Sequence, residues 1–254
     1  MRMLSRVRAV SRTIAYNRDW ARYFWARART SSDGVILTYR LRNGQVVKLR
    51  GSLRATLNEI YLHRVYDVPG VDWRDCRHVL DCGANMGLFA LYVASRSPRA
   101  SIDCFEPSSE NHALLLENLS RNHTRAVAHR LAVGATSGSR RLCVSGPAGM
   151  YSLDGSGERS EQVECIDVKR MLDLSGAETS DFMKMDIEGE ELSLLMDTPL
   201  DTLRRIRAMS MEWHHPTPEL TVARARLDRA GFETMVDVVG HAQRQLMLKA
   251  RLRS

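Results

Sequence analysis

The chain has 254 residues, 44% of them hydrophobic and 26% charged, with a net charge of +7. Such ordinary globular composition suits one α/β domain with a sizeable core and a short appendage. No run approaches the roughly 20 apolar residues of a membrane span, so no membrane-spanning helix is expected.

Five cysteines stand at 76, 82, 104, 143 and 165, none in a CxxC pair, which predicts free thiols in a reduced cytosolic compartment. The first ten residues alternate arginine with apolar side chains and hold no secretory h-region, so a cytoplasmic location is expected. The sequons at Asn118 and Asn122 then read as chance. Charge is uneven. Residues 1–54 carry 13 Arg and Lys against Asp19 and Asp33, a local +11, which leaves −4 on the remainder. A basic arm on a mildly acidic body is the expected outline.

In chain order, residues 2–29 predict a basic helix, with Met3, Val7, Val10, Ile14, Trp20 and Phe24 forming its apolar stripe. The period then changes to two. Val35, Leu37, Tyr39 and Leu41 alternate up to Asn43-Gly44, and Val46 to Leu49 returns, which predicts a β-hairpin. Residues 53–66 read as helical, and Pro69-Gly70 closes the region. From Arg77 strands and helices alternate, with strands over 78–82, 101–105, 126–133, 182–186 and 208–213 and helices over 87–96, 108–121, 167–173 and 188–197. A helix over 218–230 and a final strand pair, 232–238 and 245–249, follow. The Gly- and Ser-rich stretch 146–160 is expected to be a mobile loop, either a lid over the acceptor or a solvated linker. This pattern predicts an α/β, Rossmann-like, mostly parallel doubly wound sheet with a C-terminal antiparallel strand, preceded by a basic helix and a hairpin. The expected organisation is an arm over 1–30, a hairpin/helix subdomain over 31–74 and a catalytic domain over 75–254.

Residues 79–89 join the first sheet strand to a helix through Gly83 and Gly87, glycines that let backbone lie close to a ligand. A dinucleotide loop would place its other glycines at 85 and 88, where Asn85 and Leu88 stand. Asp81 also sets a carboxylate where a pyrophosphate would rest. It repels a diphosphate but suits the cationic methionine end of S-adenosylmethionine. Glu106 follows the second strand, where a carboxylate accepts both ribose hydroxyls, and Ala132 is small enough to admit adenine. The expected cofactor-binding set is therefore Asp81, Gly83, Asn85, Gly87, Glu106 and Ala132, with S-adenosylmethionine as the cofactor.

At these residues the sequence resembles the FkbM family of methyltransferases, over about residues 39–239. Its most specific element, Lys184-Met-Asp-Ile-Glu-Gly-Glu-Glu191, looks like the family's K-x-D-x-E-G-x-E signature. Residues 79–89, Phe105-Glu-Pro107, 115–122, Ala132-Val-Gly134 and Met211-Glu-Trp-His214 support the match. The resemblance implies methyl transfer to hydroxyl groups of natural products, often sugars or polyketides.

An alcohol becomes a nucleophile only as its proton leaves, so O-methylation wants a base within hydrogen-bond reach. Ligands of an open α/β sheet sit beyond the carboxyl ends of its strands. There Asp186 ends the fourth strand, Glu188 begins the following helix, and Glu212 and His214 lie at the end of the fifth. These four are the candidate catalytic residues, with His214 the expected base because an imidazole titrates near neutrality without tuning. In the plainer reading, Glu188 to Glu191 complement the dipole of the following helix, which accounts for Glu190 and Glu191 but not for Asp186. Asp186, Glu188 and His214 also admit a divalent metal, but their spacing assigns none. The expected partner is a small hydroxylated acceptor. Nucleic acid is not expected, although an RNA methyltransferase using the arginine arm is the competing enzyme, and a non-catalytic binding protein on this fold the reading outside enzymes. A weak peripheral attraction to anionic membrane is expected through residues 2–29.

Overall fold

The computed structural model describes residues 10–11, 13–28, 35–145, 150–155, 157, 159–239 and 245–253. Met3 and Val7 of the expected apolar stripe lie outside them. Residues 13–16 are helical and helix α1 spans Trp20–Ala28, so one continuous helix is corrected to two pieces. The break has a cause: Asn17 bridges to Leu41 in strand fashion, and the Asp19 carboxylate receives the Arg40 amide at 2.8 Å and its guanidinium at 2.7 Å. Thr13, Asn17, Tyr23 and Ala26 face inward, whereas Val10 and Trp20 are about two-fifths exposed.

Strands β1 (Ile36–Arg40) and β2 (Val46–Arg50) form the antiparallel hairpin, with Tyr39 opposite Val47 and Gly44 at a φ of 92° in the turn. Leu37, Tyr39, Leu41, Val47 and Leu49 are buried at the expected period of two. The outer edge of β2 is paired by side chains. Asn122 Oδ1 accepts from the Val46 amide and Asn118 Oδ1 from the Lys48 amide, both at 2.8 Å, while their amide groups donate back to the carbonyls of Val46 and Lys48. Helix α2 (Arg54–Asn58) runs into a π-helical turn, Glu59–His63, which Arg64 ends at a φ of 53°.

The remaining strands are β3 (His78–Cys82), β4 (Ser101–Phe105), β5 (Ala126–His129), β6 (Ala132–Val133), β7 (Gly138–Ser145), β8 (Met150–Leu153), β9 (Arg159–Ile166), β10 (Phe182–Met185), β11 (Ala208–Trp213), β12 (Phe232–Val239) and β13 (Gln245–Leu252). Helices α3 (Leu88–Arg96), α4 (Ser109–Arg121), α5 (Val168–Ser175), α6 (Glu191–Asp197), α7 (Leu200–Leu203) and α8 (Thr217–Arg229) connect them. The main sheet has the order β12-β13-β11-β10-β3-β4-β5, parallel from β11 to β5 and closed by the antiparallel pair β12–β13. The α/β doubly wound architecture and its antiparallel end are as expected. Central strands such as β10 are buried throughout, as a sheet covered by helices on both faces requires.

Two features differ from expectation. The single strand over 126–133 divides into β5 and β6, and β6 joins a second sheet of order β6-β9-β7-β8. The presumed loop 146–160 therefore supplies β8 and the start of β9. Its residues 146–149, 156 and 158 lie outside the described ones. The helix expected from 188 begins at Glu191, because Glu188 (φ 55°) and Gly189 (φ 103°) both turn left-handed first. All five cysteines are buried and free.

Candidate active site

The chain winds outward from β3 to β5 and then returns to β10, so the sheet's switch point lies between β3 and β10, where the loops after both strands open a crevice. After β3 the backbone turns left-handed at Gly83 (φ 73°), Asn85 (φ 50°) and Gly87 (φ 82°). Gly83 is obligatory, since a Cβ there would lie 1.8 Å from the Asp186 carbonyl oxygen. At Gly87 a Cβ would meet Leu115 at 2.6 Å.

Asn85 is tied to Glu106, whose carboxylate accepts from the amides of Asn85 (2.8 Å) and Ser108 (2.9 Å) and from the Asn111 side chain (3.5 Å). Burial pushes the Glu106 carboxyl up to about 7 against those three hydrogen bonds. Glu106 lines a cleft of about 560 Å³ with Gly83, Asn85, Pro107, Ala132, Val133, Leu142, Ser152 and Leu153. Ala132 sits in its wall as expected, and β8 of the second sheet closes it. This cleft suits a nucleoside, with an acid for ribose hydroxyls and an apolar slot for the base.

Gly83, Asn85, Asp186 and Glu188 also line a second chamber, of about 850 Å³, so the two spaces meet across the switch point. The chamber's polar wall holds Glu59, Tyr66, Lys184, Asp186, Glu188, Glu212 and Gln245, and its apolar wall includes Leu53, Ile60, Met86, Phe89 and Met247. Of the four candidate catalytic residues, Asp186, Glu188 and Glu212 line this chamber, and His214 stands against their carboxylates. His214 Nε2 lies 3.6 Å from Glu212, 3.7 Å from Glu188 and 4.0 Å from Asp186, while Nδ1 lies 2.9 Å from Glu191. The imidazole is held charged. Burial disfavours that form, but the hydrogen bond to Glu191 and the surrounding carboxylates raise its pKa to about 11. A doubly protonated ring has no lone pair to take a proton, which disfavours the expected role of His214 as an untuned base. Glu188 takes the opposite course: burial and the Asp186 charge push its carboxyl up to about 7, which fits a proton acceptor near neutrality.

Asp81 differs most from its expected role. It lies inside β3 with no exposure and lines neither space, so it does not reach a cofactor ammonium. Instead it stands 3.3 Å from the Lys184 ammonium, its neighbour in the parallel register of β3 and β10. Lys184 donates to the carbonyls of Gly83 (2.6 Å) and Cys82 (3.3 Å) and lies 3.7 Å from Asp186. Burial opposes the Lys184 charge, yet Asp81 and Asp186 together raise its pKa above the usual lysine value. The pair thus braces the glycine turn against the start of the signature loop. Sequence reasoning quoted Lys184 without giving it a role. Its identity as the lysine of the signature, two residues before Asp186 on the same strand face, was the available signal. Tyr66, which donates to Asp186 Oδ2 at 3.2 Å, and Glu59 carry no local motif.

Comparison with known proteins gives the family and the fold. The Methyltransferase FkbM domain profile matches residues 81–234. The AMB antimetabolite synthetase AmbE of Pseudomonas aeruginosa is 27% identical over 224 residues, covering 70% of this chain but 10% of AmbE. The 31-O-demethyl-FK506 methyltransferase FkbM of Streptomyces tacrolimicus is 29% identical over 153 residues, covering 59% of this chain and 57% of that protein. This chain therefore spans a tenth of the first relative and little over half of the second. In fold it is similar to the METTL16 MTase domain, with a TM-score of 0.53 over 91% of both chains at 11% identity. The chain belongs to the FkbM family of methyltransferases, has the class I methyltransferase fold and uses S-adenosylmethionine as its methyl donor.

Proposed function

We propose that this methyltransferase acts on a hydroxyl oxygen of a small natural product, with S-adenosylmethionine in the Glu106 cleft and the acceptor in the adjoining chamber. The observation that carries the reading is that Asp186 and Glu188 stand where the two spaces meet, with Glu212 in the chamber wall and His214 against all three carboxylates. Transfer is an in-line displacement. The acceptor oxygen forms a bond to the methyl carbon, the C–S electron pair stays on sulfur, and the hydroxyl proton passes to a carboxylate of this cluster. Glu188 is the preferred acceptor, and His214 fixes the carboxylates around it. Holding donor and acceptor in line contributes ~7–11 kcal/mol in well-oriented systems. The relative's printed name, a 31-O-demethyl-FK506 methyltransferase, supports an oxygen acceptor on a natural product.

Four carboxylates line or border the chamber, counting Glu59, and such a wall repels a phosphate backbone. That disfavours the RNA reading. The test is methyl transfer from labelled cofactor to a hydroxylated metabolite extract of the host, followed by mass spectrometry. Label on an oxygen-linked methyl supports the proposal. Label only on nitrogen or carbon, or only on RNA, rejects it.

A further inference from the structure

We infer that Asp186, Glu212 and His214 form a divalent-cation site at the wall of the acceptor chamber. One donor atom from each lies within 4.8 Å of the others. The Nε2 of His214 has carboxylate oxygens at 3.6, 3.7 and 4.0 Å, every one beyond hydrogen-bond length. Donors bound to a common ion at about 2.0–2.2 Å stand roughly 3–4 Å apart, so the spacing suits an ion better than direct contact.

The independent support lies outside the trio. Each ligand is aimed by a partner that is not itself a ligand. Glu191, fully buried, accepts a hydrogen bond from His214 Nδ1 at 2.9 Å, and the same oxygen accepts from the amides of Ile187 and Gly189 at 3.3 Å. The ring is thereby fixed with Nε2 toward the carboxylates, the carboxylate–histidine arrangement that orients metal-binding imidazoles. Tyr66 occupies Asp186 Oδ2, leaving Oδ1 toward His214, and Gln245 donates to Glu212 at 2.7 Å. A set of two carboxylates and one imidazole suits Mn²⁺ or Mg²⁺ over soft, thiolate-seeking ions. Binding places a metal–Nε2 bond where the second ring proton was, and that proton leaves to solvent. Glu188, 3.7 Å from the same nitrogen, remains free to take the acceptor's proton.

The binding itself is independent of the proposed methyl transfer. Its role rests on that reading: a bound cation polarises the acceptor oxygen and eases loss of its proton. The test uses the full chain with Mn²⁺ alone. Electron paramagnetic resonance is expected to show Mn²⁺ leaving solution, and pulsed spectra of the bound ion to show one nitrogen coupling that disappears in H214A. E212Q and H214A should each weaken Mn²⁺ binding tenfold or more, with S-adenosylmethionine affinity, measured by calorimetry as the check on folding, changed less than about threefold. If either variant loses the cofactor as well, D186N with the nitrogen coupling decides. No binding at millimolar Mn²⁺, bound Mn²⁺ without nitrogen coupling, or unchanged affinity in both variants overturns the site and leaves the cofactor reading intact. Conversely, Mn²⁺ bound as expected with no oxygen methylation rejects the acceptor reading and leaves the site standing.

Discussion

The amide of Asn85 donates to Glu106 Oε2 at 2.8 Å, which locks the left-handed glycine turn to the acid that ends β4. Ribose hydroxyls need the ionised form of that acid, and burial has moved its titration to about 7. The sign follows directly. Below 7 the carboxyl is protonated and loses acceptor capacity, so S-adenosylmethionine should bind more weakly at pH 6 than at pH 8, with proton release on binding. Calorimetry of Glu106→Gln should show no such pH dependence. Glu106→Ala should weaken binding about tenfold or more, in line with ~1.5–3 kcal/mol for a charged hydrogen-bonding partner. Equal affinities at both pH values in the native protein would remove the ribose role.

Gly83 separates β3 from the signature loop after β10. An alanine there keeps an unfavourable φ of 73° and drives its Cβ into the Asp186 carbonyl. Gly83→Ala should destabilise the fold by at least about 2 kcal/mol, read as a shifted midpoint in urea unfolding, and should weaken the cofactor because Gly83 lines both spaces. An unchanged midpoint would show that the two loops move apart freely.

The buried pair Asp81–Lys184 gives a cleaner energetic test. Lys184→Met leaves Asp81 without its cation inside the sheet, at a cost of ~3–5 kcal/mol for an uncompensated buried charge. The double variant Asp81→Asn, Lys184→Met should regain a substantial part of that loss. Urea unfolding of the two single variants and the double measures the coupling. Additive losses would mean that the ion pair contributes nothing beyond its separate members.

Which parts were readable from sequence follows from how local their causes are. The hairpin, the glycine turn and Glu106 depend on residues within a few positions of one another, and their patterns survive as period two, as paired glycines and as an acid after a strand. The second sheet was missed because β8 and the start of β9 lie in a Gly- and Ser-rich stretch whose composition reads as loop, which hides the partners of β7. Helix α1 was over-extended because Asn17 and Asp19 find their partners at Leu41 and Arg40, more than twenty residues away. His214 stands beside Asp186, Glu188 and Glu212, yet its charge state depends on Glu191, Glu212 and Asp186, and only the assembled crevice brings these together. Asp81 was misread for a related reason. Its position at a strand end suggested a ligand, whereas the register of β10 sets Lys184 beside it.

Proton transfer at the cluster should be separable from cofactor binding. Glu188→Gln should lower turnover by ~10²-fold or more while S-adenosylmethionine affinity, measured by calorimetry, changes little. His214→Ala should lower turnover as well, through loss of the geometry it imposes. Turnover retained in Glu188→Gln but lost in His214→Ala would return the base to the imidazole.

The last prediction concerns the arm. On α1, Trp20 and Trp25 are 40% and 58% exposed, and Arg18 and Arg22 are exposed beside them. Aromatic rings next to arginines are the composition that settles at a lipid headgroup boundary, with about 1 kcal/mol per basic residue near an anionic surface. Among the described residues no helix is long and apolar enough to cross a membrane, and the attachment proposed is peripheral. Eight arginines between residues 2 and 29 oppose the single acid Asp19, and the attraction should weaken with salt as screening shortens its reach. Co-sedimentation with phosphatidylserine-containing vesicles should therefore appear at low salt, fade by 0.5 M and diminish in a Trp20→Ser, Trp25→Ser variant. That variant should keep its cofactor affinity, measured by calorimetry as the check on folding. A full-length protein that stays in the supernatant at low salt would end the membrane proposal and leave the arm as a structural brace for the hairpin.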